Sequence, residues 1–284
     1  MSEQAIDYDR MAEGFDTVLP LMRPVAERLI ERTPGLVPGA FVLDVASGTG
    51  EPGLTLAERH PGVRLLGIDT SEVFVGIARR KAAQRGLAEA DVRYAVMNAE
   101  RLELDDDSVD VVVSRFGMLS FSDPRAEVRE AARVLRPGGT ISIATWDVGS
   151  ANTLTHAAMT ALGDLLPALF AGFAERLEQY ATPGLRESWL VEGGLHDVTT
   201  ELFGWQVDFP DEDALWRLVS GPAMLGAVLG QIDDRPPGEP ERNETVSFTM
   251  ATVRAAFGDQ VSGHRQPDGS YRIPYACRML SATA

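Results

Sequence analysis

From Phe41 onward, short apolar runs alternate with longer amphipathic stretches, the rhythm of an α/β chain that builds a parallel sheet from βαβ units. The runs occupy residues 41–45, 64–69, 92–97, 109–113 and 140–145, and the last two are rich in the β-branched residues that suit a buried strand. The spacing between them predicts helices over 52–59, 72–85 and 125–135, with Pro137, Gly138 and Gly139 ending the third. Ahead of the first run, residues 21–32 read as an amphipathic helix that could pack on the sheet or cover a ligand.

After Trp146 the rhythm breaks. Residues 153–179 read as helical, with Leu154, Met159, Leu162, Leu165, Leu166, Leu169 and Phe173 on apolar faces, and the stretch is too long for a βα loop. A strand is expected at 198–209, then helices over 211–230 and 241–257 around a turn at Arg235, Pro236 and Pro237, then a strand at 272–280. The expected organisation is cap helices over residues 1–36, a ligand-binding core over 37–147 and a helical lid over 148–184. Residues 185–284 complete the core and carry a second helical insertion at about 210–268.

Composition narrows the function. With 44% hydrophobic and 24% charged residues the chain has ordinary globular values, and its 284 residues suit one elaborated domain. A net charge of -16 opposes a phosphate backbone, so nucleic acid is not an expected partner. Arg125, Arg129, Arg133 and Arg136 alternate with Glu127 and Glu130, which describes a solvated helix face. The single cysteine, Cys277, leaves no disulfide framework and no metal cluster, and fits a reducing cytoplasm. No stretch approaches the ~20 apolar residues of a membrane span, so a cytoplasmic protein without membrane insertion is expected.

The strongest local signal is the run D-V-A-S-G-T-G-E-P-G from Asp44 to Gly53, a buried strand passing into a glycine loop and then a helix with Pro52 in its first turn. Gly48 and Gly50 lack a Cβ, so they admit positive φ and close approach of a ligand to the backbone. Such loops lie at the carboxyl ends of strands near the topological switch point, where open parallel sheets bind ligands. Asp69 ends the next strand, and its two acceptor oxygens suit the two hydroxyls of an adenosine ribose. The ligand is then a dinucleotide or S-adenosylmethionine. Gly48, Gly50 and Gly53 satisfy G-x-G-x-x-G, but Asp44 puts an anion where a pyrophosphate would have to settle.

Further pieces follow in order: residues 8–16 from Tyr8 to Asp16, then Gly67-Ile68-Asp69-Thr70-Ser71, Asn98-Ala99-Glu100, Ser114-Arg115-Phe116-Gly117 and Leu135-Arg136-Pro137-Gly138-Gly139. Together with the loop, this set over about residues 8–146 resembles the class I S-adenosylmethionine-dependent methyltransferases, in the small-molecule group of ubiquinone and menaquinone methyltransferases. The resemblance implies a Rossmann-like seven-stranded, mostly parallel sheet with an antiparallel last strand, helices on both faces and helical lid insertions. It also implies cofactor contacts from Tyr8, Gly50 and Thr70, with Ala46, Ser47 and Gly48 facing the methionine part and Asp44 organising the loop. Asp69 would hold the ribose, Asn98 and Ala99 would read adenine, and Ser114 and Arg115 would line the sulfonium end. Asn98 stands where the family more often has Asp.

Methyl transfer from a sulfonium by in-line displacement needs alignment and exclusion of water, with a general base only where the acceptor must lose a proton. His156 and Tyr180 are the acid/base candidates. Phe15, Trp146, His156, Met159, Phe173, Tyr180 and Met224 are expected around a small, largely apolar acceptor such as a quinone-like molecule or a secondary metabolite; Phe170, Trp189 and Trp216 are further aromatic candidates. The methylated atom is O, N or C. His60, His196 and His264 have no partner at metal-ligand spacing, and Glu103, Asp105, Asp106 and Asp107 read as a solvated turn, so no metal is expected. Three other readings stand beside methyl transfer: a rearrangement or cyclisation templated by the sulfonium, an NAD-dependent oxidoreductase, and a non-catalytic binding protein.

Overall fold

The computed structural model describes residues 8–119, 123–147, 152–165, 182–225 and 240–284. In chain order the elements are α1 (Tyr8–Phe15), α2 (Leu19–Arg32), β1 (Phe41–Val45), α3 (Gly53–Arg59), β2 (Arg64–Asp69), α4 (Glu72–Gln84), β3 (Val92–Val96) and β4 (Val109–Arg115). They continue with α5 (Pro124–Val134), β5 (Leu135–Trp146), α6 (Thr153–Leu165), α7 (Leu185–Glu192), β6 (His196–Phe209), α8 (Glu212–Val219), α9 (Pro240–Val261) and β7 (Tyr271–Thr283). The chain forms two compact units. One comprises Met22–Trp146, Tyr180–Phe203 and Cys277–Ala284; the other comprises Met1–Leu21, Asp147–Gln179 and Gly204–Ala276.

The strands make one seven-stranded sheet in the order β3-β2-β1-β4-β5-β7-β6. β1 to β5 pair in parallel, and β7 runs antiparallel to β5, as the resemblance implies. Alternation along each strand divides the first unit's core into two layers. Leu43, Val112, Ile141 and Ile143 pack with Val128 and Val134 of α5 and Leu190 of α7 on one face. Val42, Leu65, Val111 and Val113 pack with Leu54 and Leu56 of α3, Val75 and Ala78 of α4 and Ile30 of α2 on the other. Strands covered on both faces are apolar at successive positions, which is why β1 and β4 read as continuous runs. Helix starts follow capping chemistry: the Ser71 hydroxyl accepts from the Phe74 amide, and the Asp123 carboxylate accepts from Arg125 and Ala126 with Pro124 opening α5.

Several expected boundaries move. β4 runs on to Arg115 instead of ending at Val113, which brings Ser114 and Arg115 into the sheet. Pro137, Gly138 and Gly139 do not form a turn between α5 and β5, because the strand already begins at Leu135. Leu135 pairs with Val109 and Thr140 with Val111, so the intervening residues bulge out of the ladder. Ala284 supplies that bulge with backbone partners, exchanging bonds of 2.8 and 2.9 Å with Gly138 and Gly139. The α7 helix was not expected; Gly184, at φ 78°, turns the chain into it, and Trp189 and Leu190 bury its inner side. α8 stops at Val219 before Ser220, Gly221 and Pro222, so residues 220–225 lie outside the helix expected to run to 230. Residues 166–179 of the expected lid helix lie outside the described residues.

Within the second unit, Trp205 stacks on Tyr275 at 5.4 Å and its indole donates to the Leu21 carbonyl at 2.8 Å. Trp216 meets Phe257, and Val253, Phe257 and Val261 on α9 are buried, as is Leu215 on α8. Among the described residues no helix is long and apolar enough to cross a membrane.

One packing constraint reaches the glycine loop directly. A Cβ on Gly67 would lie 2.3 Å from the Tyr94 ring, whose hydroxyl donates to Gly50. Gly67→Ala is therefore expected to destabilise the protein by about 1–3 kcal/mol in urea unfolding. Gly76→Ala on α4, with only the Arg80 guanidinium end nearby, is expected to be neutral or to stabilise by up to about 1 kcal/mol. Equal effects of the two substitutions would contradict this packing.

Candidate functional site

The strand order reverses between β1 and β4: the chain leaves β1 toward β2 and β3, and leaves β4 toward β5. Crevices outside the carboxyl ends of such a strand pair are where open α/β sheets bind ligands. Here the loops after β1 and β4 meet. A Cβ on Gly117 would fall 2.1 Å from that of Ala46, so only glycine lets the two loops approach so closely. The Ser114 hydroxyl donates to the Val45 carbonyl at 2.8 Å and accepts from the Met118 amide at 3.0 Å.

The loop after β1 has an unusual backbone. Ala46, Gly48 and Gly50 have φ of 55°, 53° and 105°, and for alanine the left-handed region costs about 1–2 kcal/mol. Neighbouring elements hold this shape. The Gly48 amide donates to Asp69 Oδ2 at 2.9 Å, the Tyr94 hydroxyl donates to the Gly50 carbonyl at 3.1 Å, and the Gly53 amide donates to Asp44 Oδ2 at 3.0 Å. Arg115 Nη2 donates to the Glu51 carbonyl at 3.1 Å, and Lys81 Nζ donates to the Thr49 hydroxyl at 3.2 Å. The Glu51 carboxylate accepts from Arg85 at 2.5 Å and from the Thr55 amide at 3.2 Å.

Electrostatics at the loop are dominated by carboxyls. Asp44 is fully buried, and its Oδ1 has no hydrogen-bond partner. Burial pushes its pKa up to about 8. The Arg115 guanidinium and the Gly53 amide oppose that shift, while the Glu51 and Asp69 charges add to it. Arg115 is itself buried, which lowers its pKa against the fields of Glu51 and Asp44. Burial holds the Tyr94 hydroxyl well above its ordinary range, with the Asp44 and Glu51 charges adding to the effect. Asp69 accepts backbone bonds on both oxygens, the second from the Ser71 amide at 3.0 Å.

The structure thus brings Asp44, Ala46, Ser47, Gly48, Gly50, Asp69, Ser114 and Arg115 together at the carboxyl ends of β1, β2 and β4 in the first unit. Thr70 is exposed beside Asp69. Asn98 and Ala99 follow β3; Asn98 is exposed and its Oδ1 accepts from the Glu100 amide at 2.8 Å, which occupies part of the acceptor capacity expected to meet adenine. Trp146, at the end of β5, stacks on Phe116 with ring centroids 3.8 Å apart. Trp189 sits in the core beneath the sheet, 3% exposed. In the second unit Phe15 and Met224 are half-buried and His156 is exposed on α6. Tyr8 and Met159 lie on α1 and α6, while Tyr180, Phe173 and Phe170 lie outside the described residues. Among the described residues no group of His, Cys, Asp and Glu could hold a metal ion.

Three residues at these strand ends carry roles that the sequence did not single out. Glu51 was legible only as part of the loop, and Tyr94 only as one apolar position of β3. Phe116 has φ 63°, a strained value for a bulky residue that no sequence pattern announces.

Comparison with known proteins agrees with this geometry. Residues 42–139 match the family model described as a methyltransferase domain. Over 144 residues, half of this chain and 62% of the relative, the chain is 35% identical to demethylmenaquinone methyltransferase of Thermus thermophilus. It is also 35% identical over 138 residues, 46% of this chain and 54% of the relative, to a ubiquinone/menaquinone biosynthesis C-methyltransferase of Xanthomonas campestris. The match therefore spans less than two thirds of either relative. The fold is shared with phosphoethanolamine N-methyltransferase 2 of Haemonchus contortus, solved with phosphomonomethylethanolamine and S-adenosylhomocysteine. That likeness has a TM-score of 0.55 and 17% identity, and covers 92% of this chain and 52% of that one.

The raised Asp44 pKa gives a signed expectation. In the unfolded chain an Asp carboxyl ionises near pH ~3.9, so from there to about 8 the folded protein keeps a proton that the unfolded chain has released. Asp44 thus makes the protein less stable as pH rises through that window and adds no further slope above it. Asp44→Asn removes the effect. The unfolding free energy of the variant minus that of the wild type should rise from about pH 5 to about pH 8 in urea titrations. A difference independent of pH would contradict the buried, neutral carboxyl.

Proposed function

We propose that this chain, a member of the class I S-adenosylmethionine-dependent methyltransferases of the quinone-methyltransferase type, binds S-adenosylmethionine at the crevice between β1 and β4. There it passes the methyl group to a small, largely apolar acceptor. The observation that carries the reading is the left-handed loop after β1, bonded through Gly48 to Asp69 at the end of β2.

The residues present fit that cofactor. Asp69, whose two oxygens accept the Gly48 and Ser71 amides, stands at the end of β2 with the carboxylate chemistry that suits the two ribose hydroxyls. Gly48 and Gly50 leave the loop backbone open to close approach, and the buried Asp44 Oδ1, without a partner among the described residues, leaves hydrogen-bonding capacity beside the loop. A dinucleotide fits poorly. A pyrophosphate needs the free amides at the start of α3, and the Gly53 amide is already bonded to Asp44. The Glu51 and Asp69 carboxylates would also repel it.

Bound S-adenosylmethionine supplies an electrophilic methyl group on a sulfonium. The chain's own task is then positional: Asp69 fixes the ribose, the loop fixes the amino-acid end, and Trp146 on Phe116 offers a flat apolar wall at the end of β5. A quinone-like acceptor is supported by the relatives named for demethylmenaquinone and for ubiquinone and menaquinone biosynthesis.

Titration of the protein with S-adenosylhomocysteine tests the reading. Binding is expected, and Asp69→Ala should weaken it at least about tenfold, since each charge-assisted hydrogen bond lost is worth about 1.5–3 kcal/mol. Absence of binding by folded wild-type protein would refute the assignment. Incubation with methyl-labelled cofactor and a panel of quinols, phenols and amines should move the label to the acceptor. A modified acceptor without label would instead show a rearrangement or cyclisation.

A further inference from the structure

Arg115 is a buried cation that makes no direct ion pair among the described residues, although the fields of Glu51 and Asp44 reach it. It ends β4, is 8% exposed, and has an Nε without a hydrogen-bond partner. Its bond is to a backbone carbonyl, that of Glu51. Removing a guanidinium from water without a carboxylate to pair it is costly, so this residue is a poor choice for stability alone. The carbonyl it holds belongs to the residue on which the far end of the glycine loop is pinned: the Glu51 carboxylate is bonded to Arg85, just after α4, and to the Thr55 amide of α3. The near end is held by Asp69 through Gly48. Between them lie Gly48 and Gly50, in a left-handed backbone that free chain would not keep.

We propose that Arg115 is a positioning residue that acts through the Glu51 carbonyl to hold the glycine loop in its ligand-ready shape, without itself touching the ligand. The inference rests on the reading that this loop binds an adenosyl cofactor. It differs from a direct contact in what it demands of the ligand. A loop held out of shape weakens every adenosyl ligand alike, whereas a lost guanidinium contact weakens only ligands carrying the carboxylate or charge that it met.

Arg115→Met keeps the length of the side chain and removes the cation. Calorimetric titration with S-adenosylhomocysteine and with 5′-methylthioadenosine, which lacks the amino-acid end, separates the alternatives. The variant should lose at least about tenfold in affinity for both ligands, by the same factor. Its melting temperature without ligand should be unchanged or raised, because the cost of burying a guanidinium that has no direct ion pair has gone. Arg115→Lys keeps a charged donor and should recover part of the affinity. Unchanged affinities would overturn the proposal. So would a loss confined to S-adenosylhomocysteine, which would make Arg115 a direct contact. Should Arg115→Met lower the melting temperature, Arg115→Lys decides: a common loss of affinity at wild-type melting temperature supports positioning, and any other result overturns it. Failure of the wild type to bind either ligand would instead refute the cofactor site itself.

Discussion

The loop after β1 keeps its shape only because its backbone groups are satisfied from four strands at once. Asp44 on β1 takes the Gly53 amide, Asp69 on β2 takes the Gly48 amide, Tyr94 on β3 reaches the Gly50 carbonyl, and Arg115 on β4 reaches that of Glu51. A left-handed run of this kind is unstable in isolation and persists where the surroundings over-determine it. Each tether in turn constrains its neighbours. Tyr94 can lie under the loop because Gly67 has no side chain, and Gly53 has none because Asp44 occupies that space, its Oδ2 2.7 Å from where a Cβ would be. The loops after β1 and β4 meet for the same reason, at Gly117 against Ala46.

These tethers also set the chemistry of the crevice. Three carboxyl groups surround the loop, and Asp44 is buried deeply enough to be held neutral near pH 7. The remaining charges of Glu51 and Asp69 disfavour a ligand bearing phosphates at the loop. The amide at the start of α3 that would otherwise meet an anion is bonded to Asp44 instead.

Much of this was legible in the sequence because it depends on local rules. Five of the strands stand as short apolar runs, and the positive φ of Gly48 and Gly50 follows from the loop they occupy. Capping at Ser71 and Asp123 is equally local. What was not legible depends on contacts distant in sequence. Pro137, Gly138 and Gly139 have turn chemistry, but the exchange of bonds with Ala284 keeps them as a bulge in β5. Trp189 is an aromatic on a short helix, and only the packing of α7 beneath the sheet puts it in the core rather than at a surface. Glu51 and Arg115 lie 64 positions apart, and their bond exists because β1 and β4 are neighbours. Asn98 shows the same limit from the other side, since its residue type suits adenine while its carbonyl serves its own turn.

On the reading proposed above, the loop after β1 and the end of β2 form one adenosyl-binding surface. Amide hydrogen exchange, followed by mass spectrometry with and without saturating S-adenosylhomocysteine, tests it most directly. Slowed exchange is expected to concentrate in residues 46–53 and 69–71, the segments joined by the bond from Gly48 to Asp69. Binding that leaves both segments unprotected, with protection elsewhere, would contradict it.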